Sequence, residues 1–424
     1  MLQNSSTQSL AELSAASEDD STSETSWVPL SLTLSPAEMA AQLADREGFI
    51  WLDSATLDSG CCSYLTAQPT LLLSGHMDQD WPKVVEALEN GQSKGTSGGL
   101  FGWVHFDGAF LIGQYPAILK FDHATNTWFE NGPFDLPHSS VISPPTSIAC
   151  LAFEPLLSRE EFVSRVKAVQ RYISAGDIYQ VNLSYPWLAH WPNDASILAL
   201  YKRLREISPA PYAACLNLAG TTIFSASPEL FLKMSGRHIT TRPIKGTRPR
   251  FADDLHRDAQ SARDLLACDK ERAELLMITD LERNDLGQIC EFGSVQTPDL
   301  WRVECFAQVY HLVSTVTGTL RQETNHASAF QACFPGGSIS GAPKKRALEV
   351  IAELETHPRG LYTGAIGYFG FDGTSQWNMA IRTAVKHQEH ISFHVGSGIV
   401  ADSIPEREWE ETLHKASGLL LAWS

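Results

Sequence analysis

Two pairs of glutamates and one lysine are the residues whose types and spacing could do chemistry. Glu271 and Glu274 stand three apart in KERAELLMITDLERNDLG, and Glu408 and Glu411 three apart in PEREWEETLHK. Both stretches read as helix, and an i,i+3 pair lies on one helical face. Two such pairs facing each other make an oxygen-rich site for a hard cation such as Mg2+. The same spacing also suits two solvated, salt-bridged faces, because Glu-Arg and Glu-Lys neighbours abound. Lys245 lies in TRPIKGTRPR, crowded by Arg242, Arg248 and Arg250. A lysine that attacks carbon must be unprotonated, so burial or cationic neighbours must lower its pKa. The three arginines would supply the second effect. The alternative is an ordinary surface lysine in a Pro-Gly turn.

Glycine turns and isolated polar residues add to this set. FPGGSISGAPKKRALEVI reads as a turn followed by a helix that opens near Pro343. The backbone amides exposed at such a start favour an anion. VGSGIVADS, residues 395 to 403, is a second glycine-rich turn after a strand. Neither matches a P-loop or a dinucleotide fingerprint. Together they suggest a ligand with more than one carboxylate or phosphate. Glu229 in SASPELFL, His311 in QVYHLVSTV and Arg382 in NMAIRTAV are polar residues at strand ends. Each could be functional or a satisfied structural group.

The elements that must position these residues fall in a chain of 424 residues with 43% hydrophobic and 19% charged content. That composition predicts a soluble globular protein with a large core. A net charge of −17 disfavours nucleic acid and acidic membrane surfaces as partners. No apolar run approaches the ~20 residues of a membrane span. The first basic residue is Arg46, and the eight cysteines show no zinc or CxxC spacing. A cytoplasmic protein with reduced thiols is therefore expected. Residues 1–27, rich in Ser, Thr and Glu, read as a disordered tail. Residues 28–147 form a first region, and Pro and Ser accumulate between 130 and 147 as a linker or long loop. A second region spans 153–424. It opens with a helix capped by Ser158 and Glu161, followed by a strand in IYQVNLSYPWL. A helix is expected from about Ala259 to Asp280 and a last one from about Glu406 to Leu421. Strands and helices mix without βαβ alternation, which predicts an α+β fold of antiparallel sheets flanked by helices.

Taken in order, GDIYQVNLS, SASPELFL, RPIKGTRPR, AELLMITDLERNDLG, HLVSTVTG, FPGGSISGAPKKRALEVI, YTGAIGYFG, AIRTAV, GSGIVADS and EWEETLHKA resemble the motifs of the chorismate-utilising enzymes. The resemblance covers about Phe153 to the C-terminus, with GGLFGWVHFDG (98–108) matching in the first half. It implies the large mixed sandwich of the anthranilate and aminodeoxychorismate synthases. Members that add water carry a lysine base where this chain has Gln180, so the resemblance implies amination. Members reading PIAGT make anthranilate, whereas those reading PIKGT, as here, make aminodeoxychorismate.

The resemblance also implies roles. Mg2+ is held by Glu274 and Glu411, with Glu271 and Glu408 in support. Glu229 is a general acid and Lys245 a covalent nucleophile. Arg382 and Tyr362 grip the enolpyruvyl carboxylate with the amides of Gly396 and Gly398. Thr247, Ser340 and Lys415 line the pocket, and His311 sits near the ring carboxylate. Ammonia comes from a separate glutamine amidotransferase subunit, since no nucleophile elbow for that chemistry is evident in this chain. Two departures stand out. Leu275 replaces the usual His or Asn after the metal-binding glutamate. The first half lacks the LLES-type segment, so feedback by tryptophan is not expected.

Overall fold

The computed structural model describes residues 27–55, 62–136, 150–192, 195–251, 253–306 and 309–424. The expected tail, apart from Trp27, and most of the Pro/Ser-rich segment lie outside these residues. Two antiparallel sheets dominate, one of 12 strands and one of 10 among the described residues. Both draw on both halves of the chain. In the larger sheet Phe49–Asp53 pairs with Tyr212–Leu218. In the smaller, Gly99–Val104 pairs with Ala365–Gly370. The two halves of the chain are therefore interleaved within both sheets.

Side-chain alternation explains the layering. In Phe49–Asp53 every residue is buried. Phe49 and Trp51 face a core shared with helices, while Ile50 and Leu52 face the other sheet. In Gly99–Val104, Leu100 and Val104 join the helix-side core, and Phe101 and Trp103 the inter-sheet core. A strand's residues alternate between faces, so strands covered on both faces read as continuous apolar runs. The result is helix, sheet, sheet, helix, which agrees with the expected α+β class. The helices Arg159–Ser174, Ile197–Ile207 and Pro405–Trp423 cover the larger sheet. Met77–Ser93, His326–Cys333 and the inner face of Asp269–Ile289 cover the smaller one. No helix among the described residues is long and apolar enough to cross a membrane.

Local signals hold with adjustments. The Ser158–Glu161 capping box is present and opens Arg159–Ser174. The strand expected at Ile178 begins at Gln180 and runs to His190. The single helix expected over 259–280 is two helices, Leu255–Ala267 and Asp269–Ile289. Cys268, with ψ 104, leaves the helical region between them. Asp254 caps the first helix, and Asp269 and Glu271 supply acidic residues to the first turn of the second. The last helix spans Pro405–Trp423, with proline in its first turn.

The capping box makes a stability prediction. Ser158→Ala removes the acceptor for the Glu161 amide and should cost about 1 kcal/mol in denaturant unfolding. A change within a few tenths would show that the helix end is held by packing alone.

Candidate active site

Lys245 belongs to the strand Ile244–Pro249, which pairs with Val309–Thr319. The register shifts between Lys245 and Thr247, and Gly246 between them has φ +76. That backbone favours glycine. A Cβ at Gly246 would also lie 2.3 Å from Glu271 Oε2. From this bulge Lys245 donates a hydrogen bond to Ser338 O at 3.1 Å. Its pKa lies below the usual lysine value, first because of burial and further because of the nearby Lys415 ammonium. Glu274, Glu229 and Glu411 act in the opposite sense. The arginines expected to lower it are engaged elsewhere. Arg242 pairs with Glu304, Arg248 Nη1 with Glu271 Oε1 at 2.7 Å, and Arg250 Nε with Asp258 Oδ1 at 2.9 Å. Each positive charge is met by a carboxylate, so burial and Lys415 replace the arginines as the cause.

Glu229, at the head of the strand Leu230–Ser235, is 5% exposed. Ser338 Oγ donates to its Oε1 at 2.7 Å. Burial pushes its pKa up, against the hydroxyl of Ser338 and the charges of Lys245 and Lys415. A carboxyl shifted this way keeps its proton to higher pH than a solvated one. Ser338 thus touches both residues, its hydroxyl to the acid and its carbonyl to the amine.

The two glutamate pairs do meet, but unevenly. Lys270 Nζ lies 3.8 Å from Glu274 Oε1 and 3.9 Å from Glu408 Oε1, bridging the two helices. Ser397 Oγ donates to Glu408. Burial raises the Glu274 pKa, Lys245 and Lys270 hold it back, and Glu411 and Glu408 add to the rise. Burial also pushes Glu411 up, but the Lys415 ion pair at 2.7 Å, Ser397 and Lys245 together bring it below the usual value. Glu408 and Glu411 therefore both bear on Glu274. Their oxygens are donors of the kind a hard divalent cation takes, and Lys270 supplies positive charge between two of them. Among the described residues no three acidic, His or Cys side chains converge closely enough to hold a metal directly. Glu271 is directed to Arg248 and Gly246, and its buried Oε2 has no hydrogen-bond partner. Three-residue spacing alone does not give both carboxylates one target. Leu275 packs with Leu265 and Leu312 in a separate apolar cluster, so it does not belong to the carboxylate group.

Cationic and backbone groups complete the cleft. Arg382 has φ +49 and Thr363 has φ +62, left-handed conformations uncommon outside glycine. The Arg382 guanidinium has no carboxylate partner among the described residues, and burial lowers its pKa. It bears on His311, which is 3% exposed and accepts or donates to Thr247 Oγ1 across 3.0 Å. Burial and the Arg382 charge push His311 down to about 3, so its ring is neutral. Tyr362 stacks on His394 at 5.5 Å. The strand His390–Ile399 runs on past its last pair with Thr383–His387 at Phe393, which leaves that edge of Gly396 and Gly398 without a strand partner among the described residues. A Cβ at Gly398 would lie 2.5 Å from Gln180 Nε2 and 4.0 Å from Lys245 Nζ. One at Gly396 would lie 2.9 Å from Tyr362 OH. Lys415 donates to Gly396 O at 3.0 Å. Ser340 differs from expectation. It is fully buried, and its hydroxyl donates to Gly336 O at 3.0 Å, closing the turn rather than lining the pocket.

A profile of chorismate binding enzymes matches residues 95–421. The chain belongs to the chorismate binding enzyme family. An anthranilate synthase component 1 of Haloarcula marismortui is 46% identical over 283 residues, 67% of this chain and 57% of that protein. An aminodeoxychorismate synthase component 1 of Klebsiella aerogenes is 43% identical over 269 residues, 63% of this chain and 59% of that one. The chain's match spans less than two thirds of either relative. Among solved structures, anthranilate synthase component I of Streptococcus pneumoniae superposes with TM-score 0.76 at 28% identity, covering 85% of this chain and 92% of that one. The menaquinone-specific isochorismate synthase of Escherichia coli shares the fold, with TM-score 0.77 at 16% identity.

Within this family's fold, sequence reading missed Arg359 and Lys270. Arg359 is 5% exposed and pairs with Glu355 at 2.7 Å. It also donates to Asn182 O, Ile339 O and Thr363 Oγ1, tying the Tyr362 turn to the glycine turn. The Glu355–Arg359 i,i+4 spacing was the available signal.

Lys245 should react with an amine-directed reagent at lower pH than a solvated lysine of pKa ~10.4. Peptide mapping of labelling against pH checks this. A Lys245 midpoint equal to that of exposed lysines would contradict the half-buried amine of lowered pKa.

Proposed function

We propose that this chain is the aminase component of an aminodeoxychorismate synthase. It converts chorismate and ammonia to 4-amino-4-deoxychorismate, a precursor of 4-aminobenzoate and folate, with retention of the enolpyruvyl group. A separate glutamine amidotransferase subunit supplies the ammonia, and the cytoplasm is the expected compartment. The observation that carries this reading is Lys245, an amine lowered in pKa and held 3.1 Å from the carbonyl of Ser338, the residue whose hydroxyl donates to Glu229.

These placements support the following course for the reaction. Neutral Lys245 adds to ring C2, both ring double bonds shift, from C1=C2 and C5=C6 to C1=C6 and C4=C5, and the C4–O bond breaks as Glu229 protonates the hydroxyl, which leaves as water. The Lys245 nitrogen then loses a proton. Ammonia attacks C4, both double bonds shift back, and the proton released by the new C4 nitrogen passes to the Lys245 nitrogen, which leaves C2 as the free amine. Two allylic displacements replace one difficult substitution. Arg382, the Gly396–Gly398 edge and Tyr362 suit the enolpyruvyl carboxylate. Mg2+ would be held by Glu274 and Glu411 with Glu408 beside them, and would supply fixed positive charge at the ring carboxylate. Glu271 supports that group only through the helix it shares with Glu274. Gln180 beside Gly398 offers no base for water.

A second reading, anthranilate synthase with loss of pyruvate, is favoured by relatives such as the Haloarcula protein. Position 245 argues against it, because an amine in the pocket provides the covalent route to C4.

Incubation with chorismate, Mg2+ and ammonium at alkaline pH, followed by mass identification and a pyruvate assay, tests the proposal. The expected product is 4-amino-4-deoxychorismate without pyruvate. Anthranilate with stoichiometric pyruvate would refute it. Glu229→Gln keeps the shape of the site but has no proton to give, and should slow product formation by roughly 10²–10⁴-fold. A fall of less than about threefold would remove Glu229 as the acid.

A further inference from the structure

The long helix Asp269–Ile289 carries a second buried carboxylate that the mechanism above does not use. Glu282 is 2% exposed. Its Oε1 accepts from the amide of Gly337 at 3.0 Å, and the Thr241 hydroxyl lies 3.5 Å from its Oε2. Gly337 is the residue before Ser338. Ser338 in turn donates its hydroxyl to Glu229 at 2.7 Å and accepts from Lys245 at 3.1 Å through its carbonyl. One buried carboxylate therefore fixes the turn that touches both proposed reacting side chains.

We propose that Glu282 is a positioning residue for the chorismate reaction, acting through Ser338 on Glu229 and Lys245. The proposal rests on the reading of those two residues as acid and nucleophile, and it adds what holds them apart. The turn has other ties, since Ser340 closes it on Gly336 O and Arg359 holds Ile339 O. The Ser340 hydroxyl also reaches Gly337 O, at 3.5 Å, while Glu282 takes the Gly337 amide at 3.0 Å. Glu282 does so from the helix that also carries Glu274, so the acid, the amine and the carboxylate wall share one rigid support.

The groups facing Glu282 are Asp285 on its own helix, Lys344 of the helix Lys344–Leu354, Glu229, and Cys333 at the end of His326–Cys333. Burial and then Asp285 push Glu282 up to about 7, while Lys344 and the Gly337 amide oppose them. Lys344 is itself bound to Asp285 at 2.5 Å. A carboxyl keeps an acceptor oxygen in both protonation states. The hold on Gly337 therefore requires an acceptor and not a charge, and glutamine can supply one.

Glu282→Leu and Glu282→Gln, compared in the full chain with Mg2+, ammonium and chorismate, separate this role from plain packing. Glu282→Leu should lower kcat by roughly 10- to 100-fold, the scale of a small misplacement of reacting groups. The KM for chorismate should stay within about threefold. Glu282→Gln should recover most of the rate. Labelling of Lys245 with trinitrobenzenesulfonate, without chorismate, should move to lower pH in Glu282→Leu, because the ammonium loses its fixed acceptor, and stay near wild type in Glu282→Gln. Wild-type turnover in Glu282→Leu, or equal damage in both variants, would overturn the proposal. Should Glu282→Leu fail to fold, Ser338→Ala tests the same link. A slower kcat at unchanged KM supports it, and full activity overturns it. The labelling arm uses no substrate, so it decides the positioning role whatever product the wild-type chain forms.

Discussion

The site depends on an ion pair that is prevented from closing. Lys245 and Glu229 lie near enough to shift each other's protonation, yet no direct ion pair joins them among the described residues. Ser338 stands between, bonding the amine with its carbonyl and the acid with its hydroxyl. A closed pair would fix the lysine as ammonium and the glutamate as carboxylate, the states that can neither attack carbon nor give a proton. With Ser338 interposed, burial favours the neutral form of each. The remaining positive charge, on Lys415, Lys270 and Arg382, is arranged around carboxylates or left for the substrate.

The fold supplies this arrangement by bringing distant segments to one place. The amine comes from one sheet, and the glycine edge at Gly396 and Gly398 from the other. The acid sits where the chain passes from the strand Thr221–Ser227 in the larger sheet to Leu230–Ser235 in the smaller. Helices Asp269–Ile289 and Pro405–Trp423 face each other with their glutamates. Two left-handed residues, Thr363 and Arg382, lie on adjoining turns, with the Thr363 amide bonded to Ala380 O. Such conformations persist where the surroundings over-determine them. Here the buried Arg359–Glu355 pair and its bonds to three further segments do so.

Much of this was legible in the sequence, and the remainder was not for definable reasons. Capping at Ser158 is a local rule, so its box was readable. The α+β class followed from the mixture of periods. Lys245 was readable as a candidate, but its neighbours suggested the wrong cause. Arg242, Arg248 and Arg250 are adjacent in sequence and point to separate carboxylates. Glu271 shows the same limit, since spacing gives a face and not the target of a side chain. Ser340 sits in the expected turn yet bonds its backbone. The interruption at Cys268 leaves no strong breaker in the sequence, for neither proline nor glycine stands there. Glu282 takes the amide of Gly337, 55 residues away, and Arg359 donates to Asn182 O, 177 residues away, and no local pattern records these contacts.

The central claim is that Lys245, a half-buried amine of lowered pKa, attacks in its neutral form and bonds covalently to the substrate. Rapid-quench intact mass and peptide mapping of the wild-type chain, mixed with chorismate and Mg2+ without ammonia, tests it most directly. The account predicts an adduct on the Lys245 peptide with the mass of chorismate less one water, discharged when ammonium is added. Continued formation of 4-amino-4-deoxychorismate with no Lys245 adduct at any quench time would contradict it.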